Sequence, residues 1–115
     1  MSDQYGRSWH IELSEEVDEW LQALPIKAKA QAIRALDMLA LRGTLLRMPH
    51  SRKLDEGLWE LRFRCGQVSQ RITYTVEPKR RVITLTTFRK RSNNESKEVR
   101  RARNVLRRRQ QKGAT

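Results

Sequence analysis

Cysteine occurs once among 115 residues, at Cys65, so no disulfide can close within the chain, which suits a reducing cytosol. With no evident supporting base, that thiol reads as a small packing residue rather than a nucleophile. No apolar run approaches the roughly 18 residues of a membrane-crossing helix. Met1 to Arg7 has no signal-peptide-like apolar middle, so the expectation is a soluble, cytoplasmic protein. Repeats are absent, and only the Arg-rich end approaches low complexity. His10 falls on the outward side of a strand, a surface position rather than a catalytic one. Trp9, Trp20, Trp59 and Phe63 all fall at apolar positions, leaving no exposed aromatic series on which single-stranded bases would stack. No metal or cofactor is implied.

What is abundant is positive charge, and it is uneven. Lys and Arg number 25 against 13 Asp and Glu, a net charge of +12. Up to Pro78 there are 11 basic and 11 acidic residues; from Lys79 onward there are 14 and 2. The last third therefore reads as an electrostatic module for nucleic acid, with an anionic membrane or an acidic protein as other partners of the same sign.

Ser8 to Leu13 alternates with Trp9, Ile11 and Leu13 on one side, a first strand. Ser14 can cap a helix that has Glu15 and Glu16 at its positive start and Val17, Trp20, Leu21 and Leu24 on its apolar face. Pro25 opens a second helix, about Ile26 to Arg42, stopped by Gly43, with Ile33, Leu36, Leu39 and Ala40 as its buried stripe. Thr44 to Pro49 reads as a loop and His50 to Leu54 as a short strand ending in the Asp55-Glu56-Gly57 turn, with Lys53 joining the sheet's charged face.

Leu58 to Arg64 and Ser69 to Val76 alternate strictly, a hairpin turning at Cys65 to Val68. Trp59, Leu61 and Phe63 face the core, while Glu60, Arg62 and Arg64 face away. A symmetric loop sets Arg62 opposite Arg71. Like charges opposed in a ladder need an anion between them: either a carboxylate, Glu60 or Glu77, or a ligand phosphate, which the guanidinium fork holds bidentately. Arg81 to Phe88 is a third strand, followed by Arg89-Lys90-Arg91. Asn93 or Asn94 then caps a basic helix with Val99, Ala102 and Leu106 inward, and Gln110 to Thr115 is expected to fray.

The fold class is α+β: an N-terminal strand and two-helix hairpin packed on a mainly antiparallel sheet of four or five strands, with a basic C-terminal helix. One domain spans residues 1–109, followed by a flexible basic tail at 110–115. On Gly57-Leu58-Trp59-Glu60-Leu61-Arg62, Arg71-Ile72-Thr73-Tyr74, Thr87-Phe88-Arg89-Lys90-Arg91-Ser92 and Glu98-Val99 with Ala102, the chain resembles the phage-derived HigB-like branch of the RelE/ParE toxin superfamily, from Leu13 to Leu106.

That resemblance implies a RelE-like fold and a type II toxin that cleaves mRNA, typically at the A site of the 70S ribosome. It also implies a cognate antitoxin, of helix-turn-helix type, in a hetero-oligomer. Carried over, Arg71 is the returning-strand arginine that contacts the scissile phosphate, Arg62 the basic position ending the Leu-Trp-Glu-Leu motif, and Arg89, Lys90 and Arg91 the cluster after the last strand. Arg62, Arg71 and Lys90 are the catalytic candidates; Lys53, Arg64, Arg89, Arg91 and Arg100 are expected to hold RNA. In-line attack by a 2′-OH needs a proton acceptor, a donor and charge stabilisation, and arginine supplies only the last. Lys90, set between two arginines, is the candidate for proton transfer. After Tyr74 the chain has no Tyr or His, which some relatives use as acid or base, and Asn94-Glu95 stands where relatives often have Thr-Pro. Two other functions fit the composition: a gyrase-poisoning ParE-like toxin, and a non-catalytic basic nucleic-acid-binding protein.

Overall fold

The computed structural model describes residues 8–113. Residues 1–7 and 114–115 fall outside the description, and with them the Met1 to Arg7 segment and the last two residues of the expected tail.

Strand β1 is short, His10–Glu12, and leads through Ser14 into helix α1, Glu15–Gln22. The Ser14 hydroxyl accepts from the Val17 N–H, and Glu15, Glu16 and Asp18 occupy the first turn, where the helix field favours them. Pro25 precedes α2, Ile26–Arg42, which stops at Gly43 with φ of 52°. That glycine is required twice over, because a Cβ there would lie 2.1 Å from the Trp9 indole. The buried stripe of α2 is Ala32, Ala35, Leu36 and Leu39 rather than the expected set: Ile33 is 41% exposed. Alanines let the helix approach strand β3 closely, which rotates the longer Ile33 outward.

A single 3₁₀ turn, Gly43–Leu45, connects to β2, Ser51–Asp55. Strands β3, Leu58–Cys65, β4, Val68–Glu77, and β5, Arg81–Arg89, form an antiparallel meander. The five-stranded sheet has the order β1-β5-β4-β3-β2, and β1 alone runs parallel to its neighbour, β5. Helix α3, Glu95–Gly113, extends beyond Arg109 into the segment expected as a basic tail.

Two cores flank the sheet. Val17, Leu21, Leu36, Leu39, Leu61, Ile72, Tyr74 and Val82 pack where α1 and α2 cover one face. On the other face Leu58, Ile83 and Leu85 meet Ala102 and Leu106 of α3, with Val99 at the margin, as the spacing of α3 predicts. That second face is apolar where Ala102 and Leu106 of α3 cover it, with charges on either side: Glu60, Arg62 and Arg71 toward one end, and Glu77 with Arg81, bound by Arg109, toward the other. The cationic C-terminal third is also partly neutralised at home. Arg101 binds Glu16 and Glu98, Arg103 binds Asp55, and Arg109 spans Glu12 and Glu77. These pairs hold α3 on the domain instead of forming one free cationic module.

Candidate phosphate-binding site

The β3–β4 hairpin turns through Gly66 and Gln67, and its register sets Arg62 across from Arg71, as alternation requires. Antiparallel partners share a face, so the uncovered part of the α3 face carries Arg52 opposite Glu60, Arg62 opposite Arg71, and Phe88 opposite Arg71 on its other side. Arg62, Arg64 and Arg71, with Phe63, Ser69, His50 and Pro49, line one shallow groove of about 350 Å³.

The two central arginines differ in state. Arg71 is 7% exposed, and its Nε lies 3.6 Å from Glu60 Oε2, an ion pair sunk into the sheet. Among the described residues that Nε has no hydrogen-bond partner, while Nη1 donates to the Gln70 carbonyl at 3.2 Å. Glu60 also faces Arg52 Nε at 3.6 Å. Burial pushes the Glu60 carboxyl above the ordinary carboxylate value, against the pull of Arg71, Arg52 and Arg62. Burial likewise lowers the Arg71 guanidinium, against Glu60. In both cases desolvation outweighs attraction, as for many buried pairs. Arg62 is half-buried and, among the described residues, forms no salt bridge; its Nη1 lies 3.3 Å from Met48 Sδ. Arg64 is exposed and donates to the Gln67 carbonyl at 2.9 Å. Glu60 is thus the carboxylate beside the arginine pair. Glu77, the other candidate, lies at the far end of β4 with Arg81 and Arg109, whose hydrogen bonds hold it below the ordinary carboxylate value.

The link from β5 to α3 borders the site through one backbone contact. The Lys90 N–H donates to the Ser69 carbonyl at 2.8 Å, which ties Lys90 to the groove wall. Its Nζ donates to the Arg91 carbonyl at 2.9 Å and lies 4.0 Å from Glu95. Asn94 precedes α3 as expected, but its side chain turns back, accepting from the Arg91 N–H and donating to the Arg89 carbonyl. Arg52 Nη2 donates to Glu95, joining the edge strand to the start of α3.

Of the eight residues singled out in sequence, Arg62, Arg64 and Arg71 share the groove and Lys90 stands at its wall. Lys53 does not join the charged face. It pairs with Trp59, on the α2 side, and lies 5.9 Å above the indole while bonding Glu56. Arg89 pairs with Gln70 and so also falls on the α1–α2 side, because β5 carries one extra residue between Thr84 and Thr87. Arg91 and Arg100 are exposed, outside the groove. Two residues were missed: Arg52, the neighbour of Lys53 that does face the site, and Glu95. The pairing of Arg52 with Glu60 follows from the register of β2 on β3, which the two strands' own sequences barely specify.

Chemically, the groove offers two open guanidiniums, Arg62 and Arg64, a third, Arg71, held by a buried carboxylate, and a lysine backbone-bonded to its wall. That set suits a phosphodiester, whose charge grows as a nucleophile adds. Among the described residues no group of three or more His, Cys, Asp or Glu side chains is placed to hold a metal ion, and no helix is long and apolar enough to cross a membrane.

Solved structures share this architecture at low identity. A variant of the E. coli toxin RelE in the free state superposes with a TM-score of 0.58 at 14% identity, over 88% of this chain and 97% of that one. The archaeal RelE–RelB complex from Pyrococcus horikoshii matches with 0.52 at 20%, over 71% and 94%. A RelBE toxin–antitoxin complex from Mycobacterium tuberculosis matches with 0.52 at 15%, over 72% and 99%. No curated protein matches the sequence. The model of the phage-derived Gp49-like proteins (DUF891) matches residues 19–107, from within α1 into α3 and across the whole groove. With a RelE-type fold and a match over most of its length, the chain belongs to the phage-derived Gp49-like family.

Proposed function

We propose that this protein is the toxin of a toxin–antitoxin pair and an endoribonuclease that cuts mRNA on translating ribosomes in the cytoplasm. The observation that carries this reading is the groove of Arg62, Arg64 and Arg71 on the open part of a RelE-type sheet. An RNA 2′-OH attacks the adjacent phosphorus, the P–O5′ bond breaks, and the products are a 2′,3′-cyclic phosphate and a free 5′-OH. Arg62 meets the charge that accumulates on the phosphorane oxygens. Arg71, fixed by Glu60 and the Gln70 carbonyl, sets the positive potential beneath them. Lys90 takes part in proton transfer to the departing 5′-oxygen. Orientation of mRNA by the ribosome supplies rate that a shallow groove does not supply alone. The partner that silences the activity is an antitoxin, as RelB accompanies RelE in the archaeal complex.

The test is induced expression of wild type, Arg62→Ala and Arg71→Ala, with growth curves and mapping of transcript 5′ ends. Growth arrest with new transcript ends in wild type alone supports cleavage. Arrest with intact transcripts and double-stranded DNA breaks points instead to a gyrase poison and overturns the proposal.

A further inference from the structure

We propose that Arg52 and Lys90 form a second phosphate subsite beside the arginine groove, filled in the free protein by Glu95, which an RNA phosphate displaces. This rests on the ribonuclease reading and adds a binding position to it.

Two cations from distant parts of the chain converge on one carboxylate: Arg52 from the edge strand β2 through Nη2, and Lys90 from the β5–α3 link, with Nζ 4.0 Å from Glu95 Oε1. Both border the groove. Arg52 shares Glu60 with Arg71, and the Lys90 N–H is bonded to Ser69, a groove residue. Glu95 opens α3, so the helix field adds to the cations in favouring negative charge at this point. A phosphate carries the same sign, offers the same paired oxygens to a guanidinium, and gains from the same field.

The two carboxylates of the cluster differ in what they can release. Glu60 is 4% exposed and its carboxylate is walled in by strands, whereas the Glu95 side chain is 44% exposed on a first helical turn. Breaking a half-exposed ion pair costs little, because water takes up both partners. Glu95 can therefore swing out while Glu60 stays. The cluster also has positive charge to spare: among the described residues Arg52, Arg62, Arg71 and Lys90 face only Glu60 and Glu95, and the buried Arg71 Nε has no hydrogen-bond partner. Glu95 is then an internal stand-in for a backbone phosphate, keeping the site neutralised until a polyanion competes for it.

The experiment is fluorescence-anisotropy binding of the full chain to a labelled 2′-O-methyl hexanucleotide RNA, which binds but cannot be cut. Glu95→Gln should bind roughly five- to tenfold tighter than wild type at low salt, with the gain shrinking as salt screens it. Glu19→Gln makes the same charge change on α1, across the sheet, and should gain less than roughly twofold. In the Arg52→Gln background the Glu95→Gln gain should vanish; should that variant fail to fold by circular dichroism, Lys90→Gln takes its place. A Glu95→Gln gain no larger than that of Glu19→Gln, or one that survives in full without Arg52, overturns the subsite while Arg62→Ala can still weaken binding. Equal binding by wild type and Arg62→Ala overturns the ribonuclease reading instead.

Discussion

The Glu60–Arg71 pair should cost stability rather than add it, and replacing both partners by apolar residues of similar size tests this. At 3.6 Å and an effective dielectric near 20, the attraction is about 4 to 5 kcal/mol. Against it stand two ions with 5% and 9% side-chain exposure, each losing several kcal/mol of hydration. The balance is on the side of desolvation, since Glu60 is pushed up and Arg71 down despite their mutual pull. The double variant Glu60→Leu/Arg71→Met is therefore expected to be more stable than wild type by about 1 to 2 kcal/mol. Each single variant loses the attraction but sheds one desolvated ion, so the four proteins should still show a favourable coupling of at least about 1 kcal/mol. Urea unfolding at pH 7, followed by Trp fluorescence, measures all four. A double variant more than about 2 kcal/mol less stable than wild type would refute the reasoning and make the pair a structural staple. If the reasoning holds, the pair persists because it fixes Arg71 under the groove, and the stabilised double variant should be inactive.

Four further outcomes follow from the same structure. Gly43→Ala combines a left-handed backbone with a Cβ overlapping the Trp9 indole, and should lose about 2 to 4 kcal/mol in the same urea assay. Glu77 is held low by its hydrogen bonds with Arg109, so its contribution is intact above the ordinary carboxylate value and fades as pH falls through its depressed folded value. Glu77→Gln should thus cost about 1 kcal/mol at pH 7 and flatten the acid limb of a pH–stability curve. Glu60, raised by burial, has the opposite sign: stability declines as pH rises from its unfolded value to its higher folded one, and Glu60→Leu should remove that slope. Lys53→Ala should leave RNA affinity within about twofold, whereas Arg52→Ala should weaken it roughly fivefold, a contrast that anisotropy titration resolves.

Local chemistry was legible in the sequence where one residue type does one job. Ser14 caps α1, Pro25 and Gly43 bracket α2, and the symmetric hairpin aligns Arg62 with Arg71. Periodicity alone did not rank Ile33 below Ala32 and Ala35, because both sets fit one helical face and closeness of packing decides between them. The faces of Lys53 and Arg89 depend on single-residue matters of register. In Ser51-Arg52-Lys53-Leu54-Asp55 alternation is too weak to say which cation faces the site, and one bulge residue in β5 turns Arg89 away from it. The contact between Arg52 and Glu95 spans 43 positions and joins an edge strand to a helix start, a pairing no local pattern encodes. Charge counting overstated the free cationic surface for a related reason: Arg101, Arg103 and Arg109 each have a partner in the first 77 residues, Glu16, Asp55, and Glu12 with Glu77.

The most direct test of the central claim is single-turnover cleavage of 5′-labelled mRNA on purified ribosomes by the purified protein. Attack by the 2′-OH with Arg62 stabilising the phosphorane predicts a 5′ fragment ending in a 2′,3′-cyclic phosphate, and a rate lower by at least roughly 100-fold for Arg62→Ala. Intact mRNA, or equal rates for wild type and Arg62→Ala, would contradict it.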